Sequence, residues 1–388
     1  MTPKEWIRRA AAASTALRVP VAITLVSCLV GLMLAEFAAG FFMPRASGAP
    51  SFLGRSVVLK EYAPNGDYRF EQEPTNPRNE RHYRLRTEQN GFIIGPGDVG
   101  RTDRPIDILF IGDSTTAAVY ADEDARFAYR VGQLLQSANG SPVYSLNGGA
   151  PGASTLDSFF ALLAKAIALK PRYVVLMHGI NDMTQLVQTG SYWRNSNISA
   201  PLTVAARTRH PFVTAVQDGA KAMFPHLSAL LEMARAGPPT ARRKWANYNG
   251  KPARPDPATD LVAMNRSVVR TLRAWGIEPV LMTEFNTLNP GNSKFRADYE
   301  SFHRKLTWSD LVALAAASSQ ATRQVASEEH VTLIDLDKEL KGHGEITYDT
   351  THLNDAGNRA AAEIIAAELA KTYPSAFTLK PVGRRPPS

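Results

Sequence analysis

From residue 106 to residue 371 the chain alternates short, mostly apolar runs with longer stretches whose apolar residues recur every three or four positions. The runs at 106–111, 143–146, 173–177, 279–285 and 331–336 are mostly apolar, without the polar alternation of a half-exposed strand, which predicts strands buried on both faces. Helical periodicity covers about 123–137, 156–169, 260–275, 306–329 and 356–371. Strands alternating with helices predict an α/β fold: a central parallel sheet between two helical layers, with ligands beyond the carboxyl ends of the strands. Residues 184–258 break the alternation, and an insertion of this length is expected to serve as a lid, a substrate wall or a partner surface.

The flanks follow other patterns. Residues 21–43 carry a single charge, Glu36, and eleven Leu, Ile, Val or Phe. At roughly 0.3–0.6 kcal/mol each, these favour insertion by about 5 kcal/mol, against about 3 for a central acid. Residues 19–43 are therefore expected to form one transmembrane helix. The basic segment 1–18 then lies in the cytoplasm and everything from residue 44 lies outside, in the periplasm or beyond the cell. A cleaved signal peptide ending near Ala38-Ala39-Gly40 is the competing reading, and Leu25-Val26-Ser27-Cys28 fits a loose lipoprotein box. Ser27, Gly31, Ala35 and Ala39 recur every four positions, a spacing that lets two such helices form a weak dimer and that also arises by chance in alanine-rich sequence. Residues 44–105, rich in Pro, Gly and Asn, read as a stalk and accessory hairpin, with strand-like pieces at 55–60 and 81–86 and a turn at Asn90-Gly91. From Ser375 the tail is rich in Pro and Arg and is expected to fray.

Composition removes several function classes. The formal charge of +8 is concentrated at the ends: residues 1–18 carry +3 and residues 371–388 carry +4, leaving +1 between. A nearly neutral body has no stripe to track phosphates, so nucleic acid is not an expected partner. Cys28, the only cysteine, excludes an intrachain disulfide and a Cys-based zinc site. The eight histidines show no metal-binding spacing, so neither metal nor cofactor is expected.

Candidate chemistry sits where the predicted strands end. Gly112-Asp113-Ser114 closes the first run, and Ser114 then opens a helix whose first N–H groups lack intrahelical partners. Asn147-Gly148-Gly149-Ala150-Pro151-Gly152 follows the second run, a loop able to aim an N–H at a carbonyl oxygen. Gly179-Ile180-Asn181-Asp182 follows the third, where Asn181 can present its amide to the same oxygen. Asp349-Thr350-Thr351-His352 precedes the final helix, with carboxylate and imidazole close enough to meet in one turn. Taken singly, each segment also reads as an ordinary turn. Together, Ser114, His352 and Asp349 supply a nucleophile, a base and the group that orients it. His178 and Asp182 read as structural neighbours.

In this order the four segments resemble the SGNH/GDSL hydrolase superfamily, over roughly residues 106–371. The resemblance implies the flavodoxin-like three-layer fold of that superfamily in a domain spanning 106–374. It also implies Ser114 as nucleophile, His352 as base, Asp349 as its orienter, and an oxyanion hole of the Ser114 and Gly152 N–H groups with the Asn181 side chain. Thr115 stands where the family name has leucine, a change expected to touch packing alone. The implied reaction is two-step acyl transfer to water. An esterase facing away from the cytoplasm meets acylated glycan first, and removal of O-acetyl groups from an envelope or extracellular glycan is the leading expectation. Tyr192, Trp193, Trp245 and Tyr248 of the insertion are available to stack on sugar rings or to pack the insertion itself. The alternatives are a lipase or lysophospholipase, favoured by the bilayer and the apolar stretch 220–234, and a non-hydrolytic glycan-binding or acyltransferase protein on the same fold.

Overall fold

The computed structural model describes residues 20, 21, 23–31, 34, 55–57, 59–71, 82–98, 105–193, 202–204, 250–302, 306–341, 343 and 345–381. It forms two compact units, Met1–Gly54 and Arg55–Ser388. In the first, the described residues are helical and exposed, with Val21, Ile23, Leu25, Val26, Leu29, Val30 and Leu34 all on the surface. Among the described residues no helix is long and apolar enough to cross a membrane. The basic segment 1–18 and much of the expected span 19–43 lie outside them, as do residues 205–249 of the insertion, with Trp245 and Tyr248.

The second unit is built on an eight-stranded sheet. Its strands in chain order are β1 (Asp67–Glu71), β2 (His82–Thr87), β3 (Ile93–Ile94), β4 (Ile108–Gly112), β5 (Ser145–Gly149), β6 (Tyr173–Met177), β7 (Glu278–Met282) and β8 (Thr332–Ile334). The spatial order is β8-β7-β6-β4-β5-β3-β2-β1. The five strands β4 to β8 are parallel, and the three earlier ones extend the sheet antiparallel beyond β5. The parallel set has the order of a flavodoxin-type sheet, and the chain reverses direction of travel at β4, between β5 and β6. Ligands of such sheets bind at that crevice.

Residues 67–71, 82–87 and 93–94, read from sequence as part of a stalk and hairpin, thus belong to the main sheet. Residues 82–87 pair with 67–71, while the expected piece near 55–60 contributes Arg55–Val57, which pairs with Leu202–Val204 outside it.

Helices cover both faces because every residue of β4 is buried, and successive side chains point to opposite sides. Ile108 and Phe110 pack with α2 (Phe127–Leu134) and the last long helix, Asp355–Thr372. Leu109 and Ile111 pack with Leu162 beyond α3 (Thr155–Ala161), with α5 (Pro257–Ala274) and with Val325 of the helix Trp308–Glu328. Each of these side chains adds roughly 1.5–3 kcal/mol by leaving water. The helix expected over 123–137 stops at Leu134 because Leu135–Ser137 pairs with Phe377–Leu379, tertiary pairing overriding local propensity.

Register aligns the carboxyl ends. Gly112 pairs with Gly149 and with Met177, and Met177 with Met282. The segments that follow β4, β5, β6 and β7 therefore leave from one rim.

Candidate active site

Ser114 is the first residue of α1 (Ser114–Ala117), a single turn that leaves β4 directly. Asp113 caps the turn, its Oδ1 accepting the Thr115 N–H at 2.9 Å. The turn lies hard against the sheet: a Cβ on Gly112 would fall 2.5 Å from the Met177 carbonyl, and one on Gly149 2.7 Å from the carbonyl carbon of Thr116. Asn147 donates from Nδ2 to the Thr116 carbonyl at 2.7 Å, and Ala118 ends the turn in a left-handed conformation at φ +48°. The nucleophile candidate is held from both sides and remains partly exposed.

His352 reaches it from the segment before the last helix, with Nε2 2.8 Å from Ser114 Oγ. The Asp349 carboxylate is an acceptor, so the imidazole donates from Nδ1, 2.6 Å from Asp349 Oδ2, and turns its Nε2 lone pair to the serine hydroxyl. Asp349 Oδ1 accepts the N–H groups of Thr351 at 2.8 Å and His352 at 2.7 Å, fixing the carboxylate in a tight turn. The Tyr348 ring lies parallel to the imidazole with centroids 5.4 Å apart. Burial alone would lower the His352 pKa. The bond and charge of Asp349, aided by Asp113 and Glu284, outweigh it and raise the imidazole above its usual value. Burial works against the Asp349 charge too, but its bond to His352 wins and lowers that pKa. This geometry can take the serine proton as the hydroxyl attacks.

Asn181 lies in the first turn of α4 (Ile180–Thr189) and donates one amide hydrogen from Nδ2 to Asp113 Oδ2 at 2.9 Å. Its second Nδ2 hydrogen is not used by that bond. The same nitrogen stands 3.5 Å from the Ala153 carbonyl, next to Gly152. Gly152 has φ +71°, a conformation natural to glycine. Its loop is tied to β4 by the Ala150 N–H, which donates to the Gly112 carbonyl at 3.1 Å. The four segments named from sequence thus meet at one rim, with Ser114, His352 and Asp349 in direct contact and Asn181 joined to them through Asp113.

Residues 110–360 match the GDSL-like Lipase/Acylhydrolase family, a stretch that contains every one of these residues. The chain belongs to that family. It is an ester-hydrolysing enzyme. Solved structures similar to this GDSL-like hydrolase include an acetyl xylan esterase at 16% identity and TM-score 0.38, covering 68% of this chain and 98% of that one. An acetylxylan esterase from Geobacillus stearothermophilus, at 16% identity and TM-score 0.39, covers 68% and 93% respectively. A lipase/acylhydrolase from Enterococcus faecalis, at 16% identity and TM-score 0.38, covers 71% and 98%. Likeness of this degree bears on neither substrate nor mechanism. No curated protein matches the chain.

Two site neighbours, Glu284 and Ser158, had no sequence signal. Glu284, two residues past β7 and buried, accepts the Thr115 hydroxyl at 2.9 Å and the Ile180 N–H at 2.9 Å. It bridges the serine turn to the Asn181 turn. Thr115, expected to affect packing alone, is a hydrogen-bond donor here, a role the family's leucine cannot fill. Burial raises the Glu284 pKa, and burial reinforced by the Glu284 charge raises Asp113 to about 7.

A second Ser-His-Asp set lies beneath the site. Ser158 Oγ is 2.7 Å from His178 Nε2, and His178 Nδ1 is 3.6 Å from Asp182 Oδ2. All three residues are buried, and burial lowers His178 to about 4, so the imidazole is neutral and out of reach of substrate. Asp182 instead accepts the Thr155 N–H at 2.8 Å, tying α4 to α3. Tyr192, a candidate for sugar stacking, is 2% exposed and packs on Leu156, Leu186 and Met264, whereas Trp193 beside it is 54% exposed. A cavity of about 660 Å³ lined by Phe285, Leu288, Val312 and Arg323 contains none of the Ser114, Asn181, Asp349 or His352 side chains.

Proposed function

We propose that this GDSL-like hydrolase is a serine esterase in which Ser114 is the nucleophile, His352 the general base and Asp349 the group that orients it. The carrying observation is the unbroken pair of contacts, 2.8 Å from Ser114 Oγ to His352 Nε2 and 2.6 Å from His352 Nδ1 to Asp349 Oδ2. As Oγ attacks an ester carbonyl, His352 takes its proton and later returns one to the departing alcohol. Negative charge on the carbonyl oxygen is met by the Ser114 and Gly152 N–H groups and the Asn181 amide. Water activated by His352 then frees the acyl group. The Ser114→Ala variant tests the assignment: it should lose nearly all hydrolysis of a chromogenic acetate ester, and wild-type turnover would discard it.

The substrate in this reading is an O-acetylated glycan of the envelope or the extracellular space. It is supported by the sequence expectation that residues 19–43 anchor the protein with the hydrolase unit outside the cytoplasm, and by the exposed Trp193 at the start of the insertion, a face suited to stacking on sugar. Acetate release from acetylated xylan or envelope polysaccharide, measured beside fatty-acid release from a short-chain phospholipid, tests it. Lipid turnover exceeding acetate release by about tenfold would overturn the glycan assignment.

A further inference from the structure

The chain approaches the Gly152 loop from outside the region that matches the family. Lys60 precedes that region by fifty residues, yet its Nζ donates to the Gly152 carbonyl at 2.7 Å and to Asp157 Oδ2 at 3.1 Å. These two acceptors lie at opposite ends of the stretch 152–157, which enters α3. Asp157 Oδ2 also accepts the N–H and the hydroxyl of Ser154, both at 2.8 Å. One carboxylate oxygen thus gathers three donors, and the ammonium is the cross-brace between the glycine and the helix start.

The brace is built into the fold. The Asp157 side chain is 1% exposed and that of Lys60 22%, so the ion pair is shielded from water on the carboxylate side. Glu61, the next residue, pairs with Lys165 at 2.6 Å, and Lys165 donates to the Asn90 carbonyl at 2.8 Å. The backbone at Lys60 is thereby pinned to the helical turn beyond α3 and to the hairpin beside β3.

We infer that Lys60 is a positioning residue for ester hydrolysis: by holding the Gly152 carbonyl it fixes the residue whose own N–H meets the oxyanion. The inference rests on the reading of Gly152 as an oxyanion donor. A neutral, shorter or absent side chain at position 60 removes the 2.7 Å bond to the carbonyl of Gly152, whose backbone is in the φ +71° conformation, so the loop samples orientations that do not serve the transition state. Substrate binding in the ground state is little altered, so the loss falls on kcat rather than KM.

The test uses the full chain and 4-nitrophenyl acetate, with melting temperature recorded for each protein. Lys60→Met is expected to lower kcat by about tenfold or more, with KM changed less than about threefold. Lys60→Cys in a Cys28→Ser background is modified with 2-bromoethylamine, giving a thioether analogue of lysine, or with ethyl methanethiosulfonate, giving a neutral adduct of the same length that carries no donor. The cationic adduct should recover at least about half of the Cys28→Ser turnover and the neutral adduct should stay low although both are folded at the assay temperature, a split that loss of folded protein would not produce. Equal turnover of the two adducts, or a Lys60→Met kcat within about twofold of wild type, overturns the inference. Should Lys60→Met not fold, the two adducts decide, since they come from one preparation. Ser114→Ala run alongside keeps the failures apart: wild-type turnover there sinks the underlying reading, whereas an inactive Ser114→Ala beside an unaffected Lys60→Met sinks only the brace.

Discussion

Replacing Asp349 by asparagine tests the orientation of the base with almost no change in shape. In the native site Asp349 Oδ1 accepts two backbone N–H groups, at 2.8 and 2.7 Å, and Oδ2 accepts from the imidazole at 2.6 Å. An asparagine must keep its single carbonyl oxygen on the two backbone donors, because leaving them without an acceptor costs about 1–3 kcal/mol each. The amide nitrogen then faces His352 Nδ1 and donates to it. That forces the imidazole proton onto Nε2, the atom 2.8 Å from Ser114 Oγ that has to receive the serine proton. Turnover should fall about 10⁴-fold with KM nearly unchanged, the cost expected for a base locked in the wrong tautomer. The pH profile gives a second, independent signature. With Asp349 ionised the His352 pKa is raised, so wild-type kcat/KM should fall as pH drops through a value above 6.5. Without the carboxylate, burial is opposed only by the weaker contributions of Asp113 and Glu284, and that limb moves to lower pH. Steady-state kinetics from pH 5 to 9 with 4-nitrophenyl acetate measure both effects. An Asp349→Asn enzyme retaining more than about a tenth of wild-type kcat, with its acid limb unmoved, would refute the argument.

Further outcomes follow from the contacts around the site. Asn181→Ala should lower kcat by about 10²- to 10³-fold. Asp113→Asn should cost nearly as much by letting the Asn181 amide turn over, and the double variant should be no worse than either single one in a kinetic double-mutant cycle. Gly112→Ala places a methyl 2.5 Å from the Met177 carbonyl and should destabilise by about 1–3 kcal/mol or more, read as a lower urea midpoint. The raised Asp113 carboxyl binds a proton in the native state between its unfolded value of 3.8 and about 7, so its contribution to stability is full below 3.8 and is lost as pH rises through 7. Urea midpoints measured across that window should decline for wild type more than for Asp113→Asn. If residues 19–43 anchor the chain, the protein should sediment with membranes and resist extraction by high salt and carbonate, and removal of residues 1–45 should release it.

Much of the α/β scaffold was legible because burial on both faces leaves an unmistakable trace, an apolar run such as 173–177, which is strand β6 without adjustment. Elements whose limits depend on distant partners were less legible. Strand β5 begins at Ser145 and runs through Asn147-Gly148-Gly149, read from sequence as loop, because those glycines let the serine turn lie directly on the sheet. The Ser114, His352 and Asp349 contacts were legible because each residue type follows a strand end or precedes a helix in a recognisable turn. Glu284 was not. Its partners Thr115 and Ile180 lie 169 and 104 residues away, and nothing in Met282-Thr283-Glu284 announces a carboxylate that faces the rim. Lys60, on a segment taken for a stalk, was hidden for the same reason.

The antiparallel extension explains why this chain invests in residues ahead of its hydrolase region. A five-stranded parallel sheet would leave β5 as an edge beside the loop that carries Gly152; here β3 covers it, Ile93 pairing with Asn147. The same extension reaches the base from the other side. Phe70 and Tyr83 pack edge-on against Tyr120, Tyr120 against Tyr348, and Tyr348 stacks on His352. Arg126, buried, donates to the carbonyls of Arg84 and Ala118, fastening β2 to the residue that ends the serine turn. Three of the elements that meet at the rim therefore lean on residues 59–94. Shortening the protein to the family region would uncover the β5 edge and free Tyr348, Ala118 and Gly152 together, so residues 105–388 alone should hydrolyse esters far more slowly than residues 46–388. Equal kcat from the two fragments, each folded by circular dichroism, would show that the hydrolase region positions its own machinery.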